Sequence, residues 1–467
     1  MSKIRSINPA TEEVLAEFDE LTDREIELKL GSAQSAYEKW RLVSFRDRAK
    51  LMTKLAEHLK QNSAKYGELI TKEMGKPITS ATAEVEKCAW ACEYYAENAE
   101  KFLSEEPRKT SSEESFLRFD PLGAVLAVMP WNFPFWQVFR FAAPTVMAGN
   151  VGLLKHASNV PQSALAIQES FSAAGFPEGV FQTFLIGASK VEQVVRDRRV
   201  KAVTLTGSEK AGAAVASAAG EEIKKTVLEL GGSDPFIVLE DADIVITCAI
   251  GADARLQNGG QSCIAAKRFI VVQSIYEEFI EQFKLNYEHQ LVGDPMEKST
   301  TVGPLATGQI LADVARQVEE SVRMGAKVII GGKRRGDRGF YYEPTILTGA
   351  KKGMPIFDEE VFGPAAAIVA VADEAEAVRV ANDSELGLGA SLWTRDLDKA
   401  KKLAAKIEAG SVFINEMVVS DPRMPFGGIK KSGYGRELSE FGIREFVNVK
   451  SVRVSRPKKP SGKPAVE

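Results

Sequence analysis

The chain has 467 residues, of which 44% are hydrophobic and 27% are charged, so it is long enough for two or three globular domains. Its formal net charge of −4 gives no electrostatic basis for binding nucleic acid or an anionic membrane. No apolar run has transmembrane length, and the polar segment Met1–Ala10 predicts no signal peptide.

The use of cysteine and histidine restricts the chemistry further. The four cysteines form no CxxC pair, which is typical of a reducing compartment and excludes a disulfide scaffold (Cys88, Cys92, Cys248 and Cys263). The chain has three histidines, which makes a multi-histidine metal site or a Ser-His-Asp triad an unfavoured prediction. We therefore expect a cytoplasmic protein whose chemistry needs no metal.

The first hundred residues are predicted to be helical. Apolar positions recur at helical spacing in three segments, Asp23–Trp40, Ser44–Tyr66 and Thr79–Phe102. Cys88 and Cys92 lie four residues apart in the third segment. They could form a redox pair, but a helix face packed on the core is the favoured interpretation, because buried thiols usually act as small hydrophobic groups.

From about Gly123 onward, short apolar runs alternate with helical stretches, which is typical of βαβ units and buried parallel sheets. The predicted helices include Pro161–Ala174 and Glu209–Ala219. The first series of strands is GAVLAVMP, NVGLLKH, VFQTFLIG, VKAVTLTGS and KTVLELGG. The second is PFIVL, KRFIVVQ, AKVIIGG, AAAIVAV, LGASLWT and GSVFIN. Two such series predict two doubly wound domains with a cleft between them.

Two segments belong to neither series. Arg108–Arg118 is polar and leads into the extended FLRFDP, and the late segment FVNVKSVRVS alternates apolar and polar residues like an edge strand. Edge strands outside a core are candidates for pairing with another subunit. The Lys- and Pro-rich end of the chain, from Ser455, is predicted to be a solvated tail.

Cys263 in NGGQSCIAAKR is a candidate nucleophile. The two preceding glycines let a ligand or backbone approach closely, and the cationic neighbours Lys267 and Arg268 would favour the thiolate. A single cysteine in a glycine-rich loop is also often structural, and this alternative stays open at this point.

Glu229 in ELGG ends an apolar run, and a carboxylate at the carboxyl end of a buried strand points into a cleft. Since histidine is scarce, Glu229 is the natural candidate to take a proton from a thiol or from an attacking water. The alternative is a glutamate that caps a helix or forms a salt bridge.

Asn132 lies in PWNFP, where Pro130 and Pro134 restrict the backbone. A rigidly held amide can donate to a developing oxyanion, with the Cys263 backbone N–H as a second donor. A turn-stabilising asparagine is the alternative interpretation.

The segment VKAVTLTGSEKAG predicts a strand, a turn from Gly207 to Gly212 and a helix, which is the geometry of a phosphate cradle. Alone this pattern is weak evidence. Glu360 and Phe362 in EEVFGP add a carboxylate and a ring, although either could be ordinary surface or core.

In order, the chain carries PWNFP, LLKHAS, TLTGS, LELGG, NGGQSCIAAKR, EEVFGP and PFGGIKKSGYGRE. From Pro9 to Val454 this series resembles the aldehyde dehydrogenase superfamily. The resemblance implies an α/β fold with a Rossmann-type cofactor domain (1–106 and 122–232) and an α/β catalytic domain (233–440). It also implies a small β oligomerisation arm (107–121 and 441–457) that pairs subunits into homodimers or homotetramers, followed by a flexible tail (458–467).

The resemblance also implies a mechanism. Cys263 attacks an aldehyde to form a thiohemiacetal whose oxyanion is held by Asn132. Hydride transfer to a nicotinamide leaves a thioester, and Glu229 activates the water that hydrolyses it. A catalytically silent member would usually lack the thiol or this carboxylate, and a CoA-acylating member typically lacks the glutamate. No second cysteine lies near Cys263, so a disulfide switch at this loop is not expected.

Further positions match the family's cofactor contacts. The resemblance assigns the nicotinamide ribose and ring to Glu360 and Phe362, and the adenine ribose to Lys155. It places three residues around the adenosine and pyrophosphate, namely Trp131, Gly207 and Ser208.

Ser158 bears on the choice of cofactor. NAD-selective members of the family often carry a glutamate here, which would repel a 2′-phosphate, whereas a small hydroxyl leaves room for one beside Lys155. NADP is therefore favoured and NAD is kept as the alternative, since Ser158 could simply be a shorter side chain without influence on the cofactor.

Trp136 and Arg140 lie four residues apart on one face of a predicted helix that adjoins Asn132. A guanidinium can bind a carboxylate in two hydrogen bonds, and Ser420 could donate to the same group. This trio resembles succinate-semialdehyde dehydrogenases and implies that substrate. The alternatives are an internal ion pair at Arg140, and glutarate semialdehyde or another aliphatic aldehyde as substrate.

Overall fold

The structure is a computed structural model that describes residues 3–457 of the chain. Its α-helices are α1 (Asp23–Trp40), α2 (Phe45–Gln61), α3 (Ser63–Met74), α4 (Ile78–Phe102), α5 (Trp136–Met147), α6 (Pro161–Ala173), α7 (Val191–Arg196), α8 (Glu209–Glu221), α9 (Ile244–Leu256), α10 (Tyr276–Glu288), α11 (Gly308–Arg323), α12 (Pro355–Asp358), α13 (Glu374–Asn382), α14 (Leu397–Ala404) and α15 (Ser439–Arg444).

The β-strands are β1 (Lys3–Ile7), β2 (Val14–Asp19), β3 (Glu106–Pro107), β4 (Glu114–Pro121), β5 (Ala124–Met129), β6 (Val151–His156), β7 (Phe181–Thr183), β8 (Val200–Thr206), β9 (Lys225–Glu229), β10 (Asp234–Val238), β11 (Ala266–Val272), β12 (Lys327–Ile330), β13 (Thr345–Thr348), β14 (Ala365–Val371), β15 (Leu386–Gly387), β16 (Gly389–Trp393), β17 (Ser411–Ile414), β18 (Ile429–Lys430), β19 (Gly433–Tyr434) and β20 (Val447–Val454).

The five predicted strands of the first series form one six-stranded sheet together with β19, in the order β19-β9-β8-β5-β6-β7. Only β19 runs antiparallel to its neighbour, so β9, β8, β5, β6 and β7 all end at the same edge. Parallel strands that are buried on both faces consist of continuous apolar residues. These five strands could therefore be predicted from the sequence. Their shared carboxyl edge brings the segments PWNFP, LLKHAS, TLTGS and LELGG together.

The second series forms a seven-stranded sheet in the order β12-β13-β14-β11-β10-β16-β17. All of its pairings are parallel except β12 with β13. The strand β13 was not predicted, because its four residues TILT form too short an apolar run to stand out. The predicted strand in AKVIIGG is a partly exposed edge strand, β12.

Among the predicted helices, Asp23–Trp40 is confirmed as α1, whose start is fixed by a capping box between Thr22 and Glu25. The prediction of one helix over Ser44–Tyr66 is wrong, since α2 ends and α3 begins at Asn62. The backbone of Asn62 leaves helical geometry, with φ −109° and ψ 13°, and its side-chain amide donates to the His58 carbonyl at 2.8 Å. The side chain therefore terminates α2 at a place that apolar periodicity does not reveal.

Cys88 and Cys92 are fully buried in α4, and both are free thiols. Burial raises the pKa of each thiol above its ordinary value. A buried, protonated thiol behaves as a small hydrophobic side chain, which supports the packing interpretation over a redox pair.

The two predicted edge segments pair with each other inside the chain. Strands β4 and β20 run antiparallel from Glu114↔Val454 to Pro121↔Val447, and β3 joins the other edge of β4. Most side chains of β20 are exposed, so this ribbon has a free face and a free edge. Its predicted role in subunit pairing and the predicted domain boundaries stay predictions, and the predicted tail at 458–467 lies outside the described residues.

None of the helices within residues 3–457 is both long enough and apolar enough to cross a membrane.

Candidate active site

Two cavities meet at Cys263. The larger, of about 350 Å³, lies at the carboxyl edge of the six-stranded sheet and is lined by Trp131, Asn132, Thr206, Gly207, Ser208, Glu360 and Phe362, among others. The smaller, of about 200 Å³, is lined by residues that include Trp136, Arg140 and Ser420. Cys263 and Gln137 line both cavities. The half-buried thiol is thus accessible to one ligand on each side.

The loop before Cys263 is held by Arg255, a fully buried side chain on α9. Its guanidinium donates to the carbonyls of Gly260 at 2.9 Å, Ala266 at 3.0 Å and Val361 at 3.1 Å, and also contacts the Gly363 carbonyl. A Cβ at Gly260, where φ is +75°, would lie 2.1 Å from the Gly363 oxygen. The glycine is therefore required by a close backbone approach, one of the two reasons predicted for the NGG sequence.

Lys267 and Arg268 are also buried and donate to backbone carbonyls. The ammonium of Lys267 lies 3.0 Å from the Ser262 oxygen, 2.8 Å from the Cys263 oxygen and 3.1 Å from the Ala265 oxygen. Arg268 donates to three further carbonyls, those of Ser233, Val380 and Ala381. Both cations hold the chain around the nucleophile.

The prediction that cationic neighbours favour the thiolate holds for Lys267, whose charge lowers the pKa of the Cys263 thiol, but burial outweighs this effect. Burial raises the pKa of the Cys263 thiol to about 12, although Arg140 and Lys267 partly oppose this effect. The desolvation of a buried charge outweighs the attraction of cations whose N–H groups point at carbonyl oxygens. The protonated form of the thiol is therefore favoured in this structure.

Asn132 is buried beside the loop of Cys263, as predicted. Its side-chain amide nitrogen donates to the Gln261 backbone carbonyl at 3.2 Å, and the backbone carbonyl of Asn132 accepts a hydrogen bond from the Asn258 side chain at 2.7 Å. An amide NH2 has two donors, so one N–H is left for an oxyanion.

The segment around Asn132 is fixed by a buried ion pair that sequence reasoning missed. One carboxylate oxygen of Glu84 accepts hydrogen bonds from the backbone N–H groups of Phe135 at 2.9 Å and Trp136 at 3.0 Å, at the start of α5. Its other oxygen is paired with Lys76. The only sequence signal is that Glu84 lies four residues before the buried Cys88 on α4, a face predicted to be apolar.

Glu229 lies at the end of β9 and is only 1% exposed. It is not part of the wall of either cavity, whereas the next residues, Leu230 and Gly231, line the larger one. Burial raises the pKa of Glu229 to about 8; Arg140 opposes the shift and the carboxylate of Glu437 adds to it. The predicted base is therefore present, but largely protonated at neutral pH.

Arg140 lines the smaller cavity and also forms a buried ion pair with Glu437. The internal ion pair that the sequence left open as an alternative is thus present, together with the predicted place in the cavity. Glu437 was not identified from the sequence, although it lies in the quoted motif PFGGIKKSGYGRE. Nothing in that motif indicates that its glutamate turns inward.

The other two predicted substrate residues are in direct contact. The Trp136 indole N–H donates to the Ser420 hydroxyl oxygen at 2.9 Å. A further cation, Lys87 on α4, donates to the same oxygen at 3.0 Å. The sequence did not single out Lys87, because one lysine on an amphipathic helix normally faces solvent.

The larger cavity has residues suited to the nicotinamide and pyrophosphate parts of a dinucleotide. Five of the predicted cofactor residues line it, namely Trp131, Gly207, Ser208, Glu360 and Phe362. Ser208 is the N-cap of α8, so the positive end of a 13-residue helix borders the cavity and suits a pyrophosphate. Glu360 accepts a hydrogen bond from Gly232 N–H at 2.9 Å, which places a carboxylate at the cavity wall for ribose hydroxyls.

Lys155 and Ser158 lie at the carboxyl end of β6 and do not line that cavity. Burial lowers the pKa of Lys155, and Ser158 is exposed. Both adjoin the edge of the sheet where the adenosine end of a dinucleotide is expected. Among residues 3–457, no group of three or more His, Cys, Asp or Glu side chains is arranged to hold a metal ion.

The aldehyde dehydrogenase family model matches residues 1–452 of the chain. A probable NADP(+) succinate-semialdehyde dehydrogenase of Synechocystis sp. is 53% identical over 452 residues, which cover 97% of this chain and 100% of that protein. Succinate-semialdehyde dehydrogenase [NADP(+)] 1 of Mycobacterium tuberculosis is 49% identical, with 97% and 100% covered. The crystal structure of succinic semialdehyde dehydrogenase from Streptococcus pyogenes with NADP+ aligns with a TM-score of 0.95 and 42% identity, covering 97% of this chain and 100% of that one.

The charges of Arg140 and Glu437 around Glu229 predict how the pH dependence of turnover changes when Glu437 is replaced. A general base acts when deprotonated, so turnover of an aldehyde should rise with pH through the Glu229 pKa, at about 8. Glu437→Gln removes a negative charge that raises the Glu229 pKa. It also frees Arg140 from its ion pair, so the guanidinium stabilises the Glu229 carboxylate more strongly and the pKa falls. The rising limb of kcat should therefore move to lower pH, measured from about pH 6 to 10.

Glu416→Gln, at an exposed position, is the matched control and should leave the limb in place. A limb that stays unmoved or shifts to higher pH in Glu437→Gln contradicts this effect of the two charges.

Proposed function

The chain belongs to the aldehyde dehydrogenase family, and on that premise we propose that it oxidises succinate semialdehyde to succinate with NADP+. The observation that carries the proposal is the position of Cys263, on the wall shared by the cavity that contains the predicted cofactor residues and a small cavity that contains cationic side chains. The names of the relatives, at 49–53% identity over nearly the whole chain, support the same substrate and cofactor.

The reaction begins at the aldehyde carbon, in the smaller cavity. The Cys263 sulfur attacks it, the thiol proton passes to the solvent, and the carbonyl oxygen becomes an oxyanion. The free N–H of Asn132 and the backbone N–H of Cys263 donate to that oxyanion. When bound in the larger cavity, the nicotinamide supplies the hydride acceptor. The substrate carbon then remains on Cys263 as a thioester.

Glu229 completes the reaction by hydrolysis. Its carboxylate accepts a proton from water as the water oxygen attacks the thioester, and the Cys263 thiol is released together with the acid. Because Glu229 lines neither cavity, its carboxylate has to turn toward Cys263 for this step. The presence of this base favours hydrolysis to the free acid over transfer to CoA.

The small cavity supports a short substrate with a distal carboxylate. Its volume of about 200 Å³ suits a four-carbon chain, and the guanidinium of Arg140 and the hydroxyl of Ser420 lie on its wall, with Trp136 beside them. Charged and hydroxyl donors of this kind recognise a carboxylate, and a plain aliphatic aldehyde gains nothing from them. Glutarate semialdehyde or another aliphatic aldehyde is the alternative substrate, and a panel of aldehydes separates the two proposals.

NADP+ is the proposed cofactor, with NAD+ as the alternative, and both proteins named as relatives above carry NADP(+) in their names. Ser158 is an exposed small side chain after β6, close in sequence to Lys155, so a 2′-phosphate meets no carboxylate from this position.

We also propose a cytoplasmic homo-oligomer. The four cysteines are free thiols, which suits a reducing compartment. The exposed ribbon of β4 and β20 is the element proposed to pair subunits, as a dimer or a tetramer.

Removing Arg140 tests the substrate. Because its loss alone leaves Glu437 buried without a partner, the sharper comparison is Glu437→Gln against the double variant Arg140→Ala/Glu437→Gln. If Arg140 binds the carboxylate, the double variant loses a charge-assisted contact worth roughly 1.5–3 kcal/mol. Its kcat/KM for succinate semialdehyde should fall about tenfold to a hundredfold relative to that for butanal. Equal losses for both aldehydes contradict carboxylate binding by Arg140.

Ser158→Glu tests the cofactor. The new carboxylate repels the 2′-phosphate and can accept from the ribose hydroxyl, so affinity for NADP+ should fall by at least about tenfold while affinity for NAD+ rises. Isothermal titration of both cofactors measures this, with Ser172→Glu on the exposed face of α6 as control. Tighter binding of NAD+ than NADP+ by the unmodified protein contradicts the proposed cofactor.

A further inference from the structure

One cation on the wall of the smaller cavity has no anionic partner among residues 3–457. Lys87 on α4 lines this cavity together with Cys263 and Ser420. Its ammonium donates to Ser420 at 3.0 Å and lies 4.3 Å from the centre of the Trp136 ring. Across residues 3–457, no carboxylate forms a salt bridge with Lys87. A largely buried ammonium in this state is suited to an anionic ligand.

The nearest carboxylates are committed to other groups. Glu84, one turn earlier on α4, is paired with Lys76 and accepts hydrogen bonds from the start of α5. Asp421, beside Ser420, binds Arg423 at 2.6 Å. Neither has a carboxylate oxygen in contact with Lys87, so the cavity side of the ammonium is free.

Ser420 adds a second, independent observation. Its hydroxyl oxygen accepts hydrogen bonds from both Lys87 and the Trp136 indole, which uses its two lone pairs. The remaining Ser420 O–H has no acceptor among the described residues. Since Ser420 lines the cavity, a ligand oxygen placed there receives this donor.

Arg140, by contrast, already has an anionic partner. Its guanidinium is paired with Glu437 and lies 4.5 Å from the centre of the Phe426 ring. Its charge also lowers the pKa of Glu229. A substrate carboxylate at Arg140 shares the guanidinium with Glu437, whereas at Lys87 it meets a cation that no carboxylate of the described residues pairs with.

We propose that Lys87 binds the distal carboxylate of the substrate, with the Ser420 hydroxyl as a second donor and with Arg140 as a second cation whose charge Glu437 already offsets. This assignment rests on the proposed function and makes Lys87 the residue that selects a semialdehyde acid over a plain aldehyde.

The charges around Lys87 predict how binding depends on pH. Burial lowers the pKa of Lys87 to about 8; Arg140 lowers it as well, while Cys88, Asp421 and Glu84 raise it. Lys87 therefore loses its charge as the pH rises above about 8, and its affinity for a carboxylate falls. The KM for succinate semialdehyde should increase over this range and the KM for butanal should not, whereas the titration of Glu229 acts on kcat for both substrates.

The direct test is Lys87→Met, which removes the charge and keeps an unbranched apolar stem against the Trp136 ring. The ratio of kcat/KM for succinate semialdehyde to kcat/KM for butanal, measured with NADP+, should fall by at least about tenfold. Ser420→Ala should lower the same ratio by a smaller factor. Lys101→Met, at an exposed position of the same helix, is the matched control and should keep the wild-type ratio.

The outcomes separate the two proposals. If the wild type oxidises both aldehydes equally well, the proposed substrate is wrong. If the wild type prefers the semialdehyde and Lys87→Met keeps that preference, the proposed function stands and the role of Lys87 is overturned. Should Lys87→Met not fold, the pH dependence of the wild-type KM decides, and a semialdehyde KM that stays constant above about pH 8 also overturns the role of Lys87.

Discussion

The rest of the site depends on how buried cations hold the backbone around Cys263. Arg255 and Lys267 donate hydrogen bonds to the backbone carbonyls of this loop, and Arg255 also donates to the neighbouring segment that contains Glu360. Each carbonyl left without a donor in such a place costs about 1–3 kcal/mol, so the loop has one favoured conformation. That conformation puts the thiol on the wall between the proposed cofactor cavity and the proposed substrate cavity.

A second set of buried charges positions the oxyanion donor and influences the base. Glu84 and Lys76 fix the start of α5, and with it the segment that carries Asn132. Arg140, one turn into the same helix, is shared between Glu437 and the electrostatic environment of Glu229. Helix α5 thus lies between the oxyanion donor, the base and the substrate cavity. All of its residues are buried, and the charge of Arg140 is offset there by Glu437.

Much of this was predictable, and the failures have physical causes. Buried parallel strands are continuous apolar runs, so the strands and the edge that assembles PWNFP, TLTGS and LELGG followed from pattern alone. The break at Asn62, the ion pair of Arg140 with Glu437 and the position of Lys87 depend on side-chain contacts that periodicity does not contain. The raised thiol pKa was missed for the same reason, because neighbours in sequence indicate charge but not burial.

The central claim is that the substrate carbon becomes attached to Cys263 and is released with the help of Glu229. It is tested most directly by mixing Glu229→Gln with NADP+ and succinate semialdehyde, quenching in acid and mapping the product by peptide mass spectrometry. The account predicts one succinyl group per chain, on the peptide that contains Cys263, and its absence when NADP+ is left out. No succinyl group in the complete mixture, or one attached to Cys88, Cys92 or Cys248 instead, would contradict it.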